Sequence, residues 1–278
     1  MLTTSLLVSL LLMSAPAASD RYGAFAFPNA AGTELLIRHN LPKPERLHTA
    51  VCGSGRKVAV RFVRRQPAGQ EHVRDTPADF GQAQGTVFHV LNARLDPKST
   101  CFIAEDAMLA GAESLRLNTA AKPTTCTADQ QVRIAGLRTR GIASCWMIAN
   151  APPQMSVAAV EYVRAGRDAL ASLLLLSNDN GRKSSRGGAS SPGVGRGVVS
   201  IDFPAEFTAD GDDLWRVEDG GHLSPDGLSV PFLLRQSSTS YVPLAWSAAE
   251  GVSLHVYAVE ANAPVREVIS DYWYRAPR

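Results

Sequence analysis

IASCWMIANAPPQMSVAAVEYVRAGRDALASLLLLS, residues 142–177, is the stretch on which the fold class turns. Two apolar runs, 157–163 and 169–176, are rich in Val, Leu and Tyr and flank the short turn Ala165-Gly166-Arg167-Asp168, the pattern of a β-hairpin. A single long helix would place Gly166 in its middle, at a cost of about 1 kcal/mol relative to alanine, and would have to carry the β-branched Val160 and Val163. Leu173, Leu174, Leu175 and Leu176 are apolar without alternation, so this strand is expected to be covered on both faces. Residues 142–149, with Cys145 and Trp146, read as the strand before the hairpin, and Pro152-Pro153 separates the two.

The same pattern extends in both directions. Towards the C-terminus, strands are expected at 198–203, 213–217, 228–235, 240–246, 252–260 and 266–274, separated by turns such as Asp219-Gly220-Gly221 and Ser224-Pro225-Asp226-Gly227. Pro231 and Pro243 fall inside two of them and mark edges or bulges, because proline lacks the ladder donor. Towards the N-terminus, residues 57–65 alternate, with Val58, Val60 and Phe62 on one side and Lys57, Arg61 and Arg65 on the other. Strands are also expected at 34–38, 86–92, 100–104 and 113–118. Residues 20–40 read otherwise as an N-terminal arm, 67–84 as a long loop and 120–125 as a linker. Thr127 and Gln130 form a capping-box pattern, but the alternation of Val132 and Ile134 with Arg133 favours a strand ending near Arg138. Regular short strands with turn chemistry between them define an all-β protein of predominantly antiparallel sandwich or barrel-like sheets with little helix.

An apolar run at 6–13 followed by Ala15-Pro16-Ala17-Ala18-Ser19 has the form of an export signal, giving residues 1–19 as a signal peptide. That run is too short to span a bilayer, so no membrane span is expected in the mature chain. The expected location is periplasmic or extracellular, in a bacterial envelope given the short signal and the Ala- and Arg-rich composition. Four cysteines, Cys52, Cys101, Cys126 and Cys145, suit disulfides in such a compartment. Of the three possible pairings, sequence neighbours are favoured: Cys52 with Cys101 and Cys126 with Cys145. A reactive thiol would fit the Gly-rich Cys52-Gly53-Ser54-Gly55 best, but it requires a low-pKa environment that no residue pattern reveals. After the signal, the chain divides into an N-terminal β region at 20–120 and a C-terminal β domain at 121–278. The Gly- and Ser-rich stretch 178–197 is expected as a mobile loop between strands of one sheet system.

Chemistry is sparse. No serine has glycine two residues away on both sides, so the common hydrolase elbow is missing. The six histidines, His39, His48, His72, His89, His222 and His255, have no metal-ligand spacing. The acidic turn Asp210-Gly211-Asp212-Asp213 does not follow the calcium-loop spacing. No catalytic residue, metal site or cofactor is therefore assigned. Residues 197–278 carry twelve acidic against five basic residues, and ten of the chain's nineteen aromatics. Trp215, Trp246 and Trp273 are accordingly candidates for a ligand surface, as is the basic stripe Lys57, Arg61 and Arg65. In the last strand, Trp273 faces opposite to Tyr272 and Tyr274, so only one set can be exposed if one face is buried. A net charge of +2 argues against nucleic acid. The expected function is a non-enzymatic binding or interaction module whose partner is an envelope protein or polysaccharide. A hydrolase of envelope polymers, with a site assembled from distant residues, is the alternative.

Overall fold

The computed structural model describes residues 23–69, 73–109, 111–151, 155–177, 198–206, 223–248, 250–260 and 263–275. The expected signal peptide, the 178–197 loop, the 210–213 acidic turn, Trp215, His72 and His222 lie outside these residues. The described chain is antiparallel β in three layers: a closed barrel, a central sheet and an outer sheet.

The barrel contains β1 (Gly23–Pro28), β2 (Glu34–Ile37), β3 (Thr49–Cys52), β4 (Arg56–Gln66), β5 (Gly85–Val90) and β6 (Cys101–Ala104), in the order β1-β2-β5-β4-β3-β6. Period-two alternation sorts its side chains. Ala24, Ala26, Leu35, Ile37, Ala50, Val58, Val60, Phe88 and Ile103 fill the interior, and Phe25, Phe27, Leu36, Val51, Val87 and Phe102 point outward into a second core. Residues 23–28 are thus a barrel strand and not an arm. Both of their faces are buried, and small residues alternate with phenylalanines because the interior is narrower than the contact outside. Cys52 and Cys101 are directly opposite on the neighbouring strands β3 and β6, and their disulfide joins the two strands on the barrel's inner side.

After α1 (Asp106–Leu109), β7 (Glu113–Arg116) leaves the barrel and pairs with the central sheet. One residue later β8 (Asn118–Thr125) starts the outer sheet, so 120–125 is a strand and not a linker. A helix, α2 (Ala128–Ala135), follows where a strand was expected. Its capping box is complete: Thr127 Oγ1 accepts from Gln130 N–H and Gln130 Oε1 accepts from Thr127 N–H. Ile134 alone is fully buried, and Val132 is 76% exposed, so the apparent alternation reflects a two-turn helix resting on one residue. The Cys126–Cys145 disulfide ties the start of this helix to the sheet beneath it.

The outer sheet continues with β9 (Ile142–Ala151), β10 (Met155–Tyr162), β11 (Asp168–Ser177) and β12 (Val198–Glu206), in the order β12-β11-β10-β9-β8. The hairpin expected at 157–176 is present, with Val157 opposite Leu175 and Ala159 opposite Leu173. Leu173 and Leu175 face the central sheet, while Leu174 and Leu176 face α2, which accounts for a run without alternation. Leu176 pairs with Val198, so the strands before and after 178–197 are neighbours in one sheet.

The central sheet contains β7, β13 (Leu228–Ser229), β14 (Phe232–Gln236), β15 (Thr239–Ser247), β16 (Gly251–Glu260) and β17 (Arg266–Tyr274). Its main order is β17-β16-β15-β14-β7, with β13 also paired to β15. Register jumps from Ser229↔Ala245 to Leu234↔Tyr241, so Pro231 makes a break and Pro243 sits opposite it, consistent with a bulge where donors are missing. Val242, Leu244 and Trp246 pack against the outer sheet, whereas Ala245, Leu254, Val256 and Trp273 pack against the barrel. The central sheet is therefore buried on both sides over most of its width.

Candidate ligand-binding face

The two sheets close on one side, where the chain steps from β7 through Leu117 to β8, and part on the other, where β12 and β17 are edge strands. Between those edges lies an open cleft of about 420 Å³ lined by Ser200, Ile201, Asp202, Tyr257, Val265 and Glu267. Phe203, the next residue of β12 after Asp202, packs edge-on against Tyr257 and Trp246 with ring centroids 6.2 and 5.4 Å away.

On the side of the cleft belonging to the outer sheet, Asp202 accepts hydrogen bonds from Ser172 Oγ (2.6 Å), from Ser200 Oγ and from the Arg138 guanidinium. Burial alone would raise this carboxyl, but the three donors and the cation outweigh it and hold Asp202 below the usual carboxylate range. Register sets Asp202 and Ser200 opposite Ser172 and Leu174, so this fixed anion stands on the α2 side of the β12 edge, and Ile201 is the β12 side chain that faces the central sheet.

The other wall continues along β16 and β17. Register places Tyr257 beside Glu267, His255 beside Ser270 and Ser253 beside Tyr272 on the face that looks toward the outer sheet. That sheet does not reach the margin, and Tyr272 and Tyr274 are 40% and 38% exposed. The result is a shelf of aromatic and polar groups that runs from the cleft to the end of β17. His255 stacks on Tyr257 at 5.9 Å, with ring planes 23° apart, and its Nδ1 contacts Glu267 Oε1. Burial and the Glu267 charge push the Tyr257 phenol up, so its hydroxyl stays protonated. Gly251 makes room for Tyr272: a Cβ there would meet the phenol oxygen at 2.5 Å and the Trp273 carbonyl at 2.3 Å.

This arrangement lacks the geometry of a serine relay. Ser270 Oγ lies 3.4 Å from His255 Nδ1, the same nitrogen that contacts Glu267, whereas a relay needs serine and acid on opposite ring nitrogens. Among the described residues no group of three metal-ligating side chains comes together.

The residues expected to form ligand surfaces are placed differently. Trp273 is 0% and Trp246 6% exposed; both are core residues, because the barrel covers one face of the central sheet and the outer sheet covers the other. Exposure belongs instead to the tyrosines flanking Trp273. Nor do Lys57, Arg61 and Arg65 form one stripe. Register jumps from Phe62↔Phe88 to Arg64↔Val87, which puts Val63 in a bulge and turns Arg65 to the opposite side from Lys57 and Arg61. The Lys57 ammonium donates to the carbonyls of Leu109 (3.1 Å) and Ala112 (2.5 Å), and the Arg65 guanidinium to that of Leu41 (3.0 Å), so both cap chain turns. The four cysteines form the disulfides Cys52–Cys101 and Cys126–Cys145.

A second polar cluster lies on the barrel side of β17. Asp75, in the segment after β4, brackets one residue at the end of that strand: its N–H donates to the Tyr274 carbonyl (2.7 Å), and its Oδ2 accepts from the Tyr274 N–H (2.8 Å). Arg38 Nε meets Asp75 Oδ1 at 2.6 Å. Burial raises Asp75 to about 6 despite Arg38 and the Tyr274 N–H, and the nearby Asp271 charge adds to the rise. Burial likewise raises Asp271, opposed by the Tyr272 N–H, by His39 and by the indole N–H of Trp273 that faces it. The Arg275 guanidinium lies 4.9 Å from the Trp273 ring centroid.

No protein-family model, curated protein or solved structure matches the chain. Of the described helices, none is long and apolar enough to cross a membrane.

Proposed function

We propose that the protein is an exported, non-enzymatic binding module of the bacterial cell envelope that takes polysaccharide chains along the cleft and tyrosine shelf. The observation that supports this reading is the exposure of Tyr272 and Tyr274 at alternate positions of an edge strand, on the same face as an open cleft lined by Tyr257 and Glu267. Alternate residues of a strand stand roughly 7 Å apart, so the two rings offer successive flat faces along one line. The apolar C–H face of a pyranose ring packs on a phenol ring, and its hydroxyls suit Glu267 and Ser270 on the same face. Among the described residues the cleft is open, which fits a polymer better than a small molecule that needs an enclosing pocket. The two disulfides and the export-type N-terminal run support an oxidising location.

Retention on insoluble peptidoglycan tests the reading. The wild-type protein is expected to be retained without releasing soluble fragments, and Tyr272→Ala/Tyr274→Ala to lose at least tenfold in affinity, about 1.4 kcal/mol. Gly251→Ala, which displaces Tyr272, should weaken retention as well. Unchanged retention in the double variant would remove the shelf from the account, and release of soluble fragments would favour a hydrolase.

A further inference from the structure

The shelf tyrosines and the buried carboxylates occupy opposite faces of the same strand end. Tyr272 and Tyr274 look outward, Asp271 and Trp273 look toward the barrel, and Asp75 grips the Tyr274 peptide from both its N–H and its carbonyl side. We propose that Asp75 is a pH-responsive positioning residue for the shelf: its hold on the end of β17 sets how rigidly Tyr272 and Tyr274 are presented, and tightens as the medium passes from neutral to mildly acidic. The inference rests on the shelf being the ligand face.

The direction follows from linkage. In the closed latch the Asp75 carboxyl titrates at about 6, against an ordinary value of 3.8 when it is released to water. The closed form therefore binds the proton more tightly, so acidification favours closure, and the advantage fades as pH rises through about 6. Every charged group facing Asp75 takes part. Arg38 holds one carboxylate oxygen, Arg275 attracts from beyond the strand end, Asp271 repels from within it, and His39 acts mainly on Asp271. Arg74, on the same segment as Asp75, is engaged by Asp79 at 2.9 Å. Above pH 6 Asp75 is charged, the Asp271 charge opposes it, and the latch is at its weakest. Below it Asp75 is neutral, and the repulsion by Asp271 is gone.

Hydrogen exchange at the Tyr274 amide reads the latch directly, because that N–H is bonded to Asp75. Its protection factor, corrected for intrinsic exchange, is expected to fall by about tenfold between pH 5 and pH 7.5 in the wild-type protein. Asp75→Asn should abolish this dependence. Asp271→Asn, which keeps the latch but removes the like charge, should move its midpoint to lower pH. A flat wild-type profile, or the same slope in Asp75→Asn, would overturn the proposal. If Asp75→Asn does not fold, the wild-type profile and the Asp271→Asn midpoint decide. Peptidoglycan retention should strengthen through the same pH window, and a latch that titrates while retention stays constant would refute the coupling. Absence of retention at every pH would count against the shelf as ligand face, with the exchange profile still judging the latch.

Discussion

Replacing Trp273 with alanine is expected to lower the stability of the folded protein by about 3–5 kcal/mol, as measured by urea denaturation. The indole is fully buried between the central sheet and the barrel, edge-on to Phe25 and Phe27 at centroid distances of 6.4 and 5.5 Å, with the Arg275 guanidinium over its ring. Its removal opens a cavity in the one core shared by barrel and sheet, where the two layers cannot collapse independently. Tyr272→Ala and Tyr274→Ala, one residue to either side, should each stay within about 1 kcal/mol of wild type, because exposed side chains contribute little. The contrast tests the facing of β17 without any ligand. Equal costs at all three positions would show that the barrel does not cover this strand.

Loss of the Cys52–Cys101 disulfide, as in Cys52→Ser/Cys101→Ser, should cost about 4 kcal/mol. The bond closes a loop with a sequence separation of 49 residues, and chain-entropy arguments scale the effect with the logarithm of loop length. Cys126–Cys145, with a separation of 19, should contribute about 3 kcal/mol by the same reasoning. The first bond has a second role, since both sulfurs occupy the barrel interior and polar serines would replace them among apolar neighbours. Differential scanning calorimetry of the two double variants should therefore rank Cys52/Cys101 as the more damaging pair. The reverse order would mean that the barrel closes without its covalent tie.

The 157–176 hairpin was legible because burial on both faces leaves a sequence trace, a run of leucines without alternation. Strand β17 was readable to its boundaries, together with the opposition of Trp273 to Tyr272 and Tyr274. Which of those two faces is covered was not readable, since it depends on a barrel built from residues more than 160 positions earlier. The tryptophans consequently looked like surface candidates. Strand β1 was hidden for a related reason: Ala24-Phe25-Ala26-Phe27 fills two different cores, and small residues facing a barrel axis do not resemble a strand signal. Helix α2 was missed because two turns need only one buried apolar residue, and Val132 beside Ile134 imitates a period of two. The bulge at Val63, which breaks the basic stripe, has no marker in Arg61-Phe62-Val63-Arg64-Arg65. Asp75 lies in a polar, turn-rich segment and nothing local announces its burial; His255 and Glu267 are brought together by register alone.

Bound ligand is expected to cover the open edge of the sandwich. Hydroxyl-radical footprinting of the protein with and without peptidoglycan tests it most directly. Protection is expected at Tyr257, Tyr272 and Tyr274, with Val132 and Val163, exposed elsewhere on the surface, oxidised equally in both samples. Protection at those valines instead, with the tyrosines as reactive as in the free protein, would contradict it.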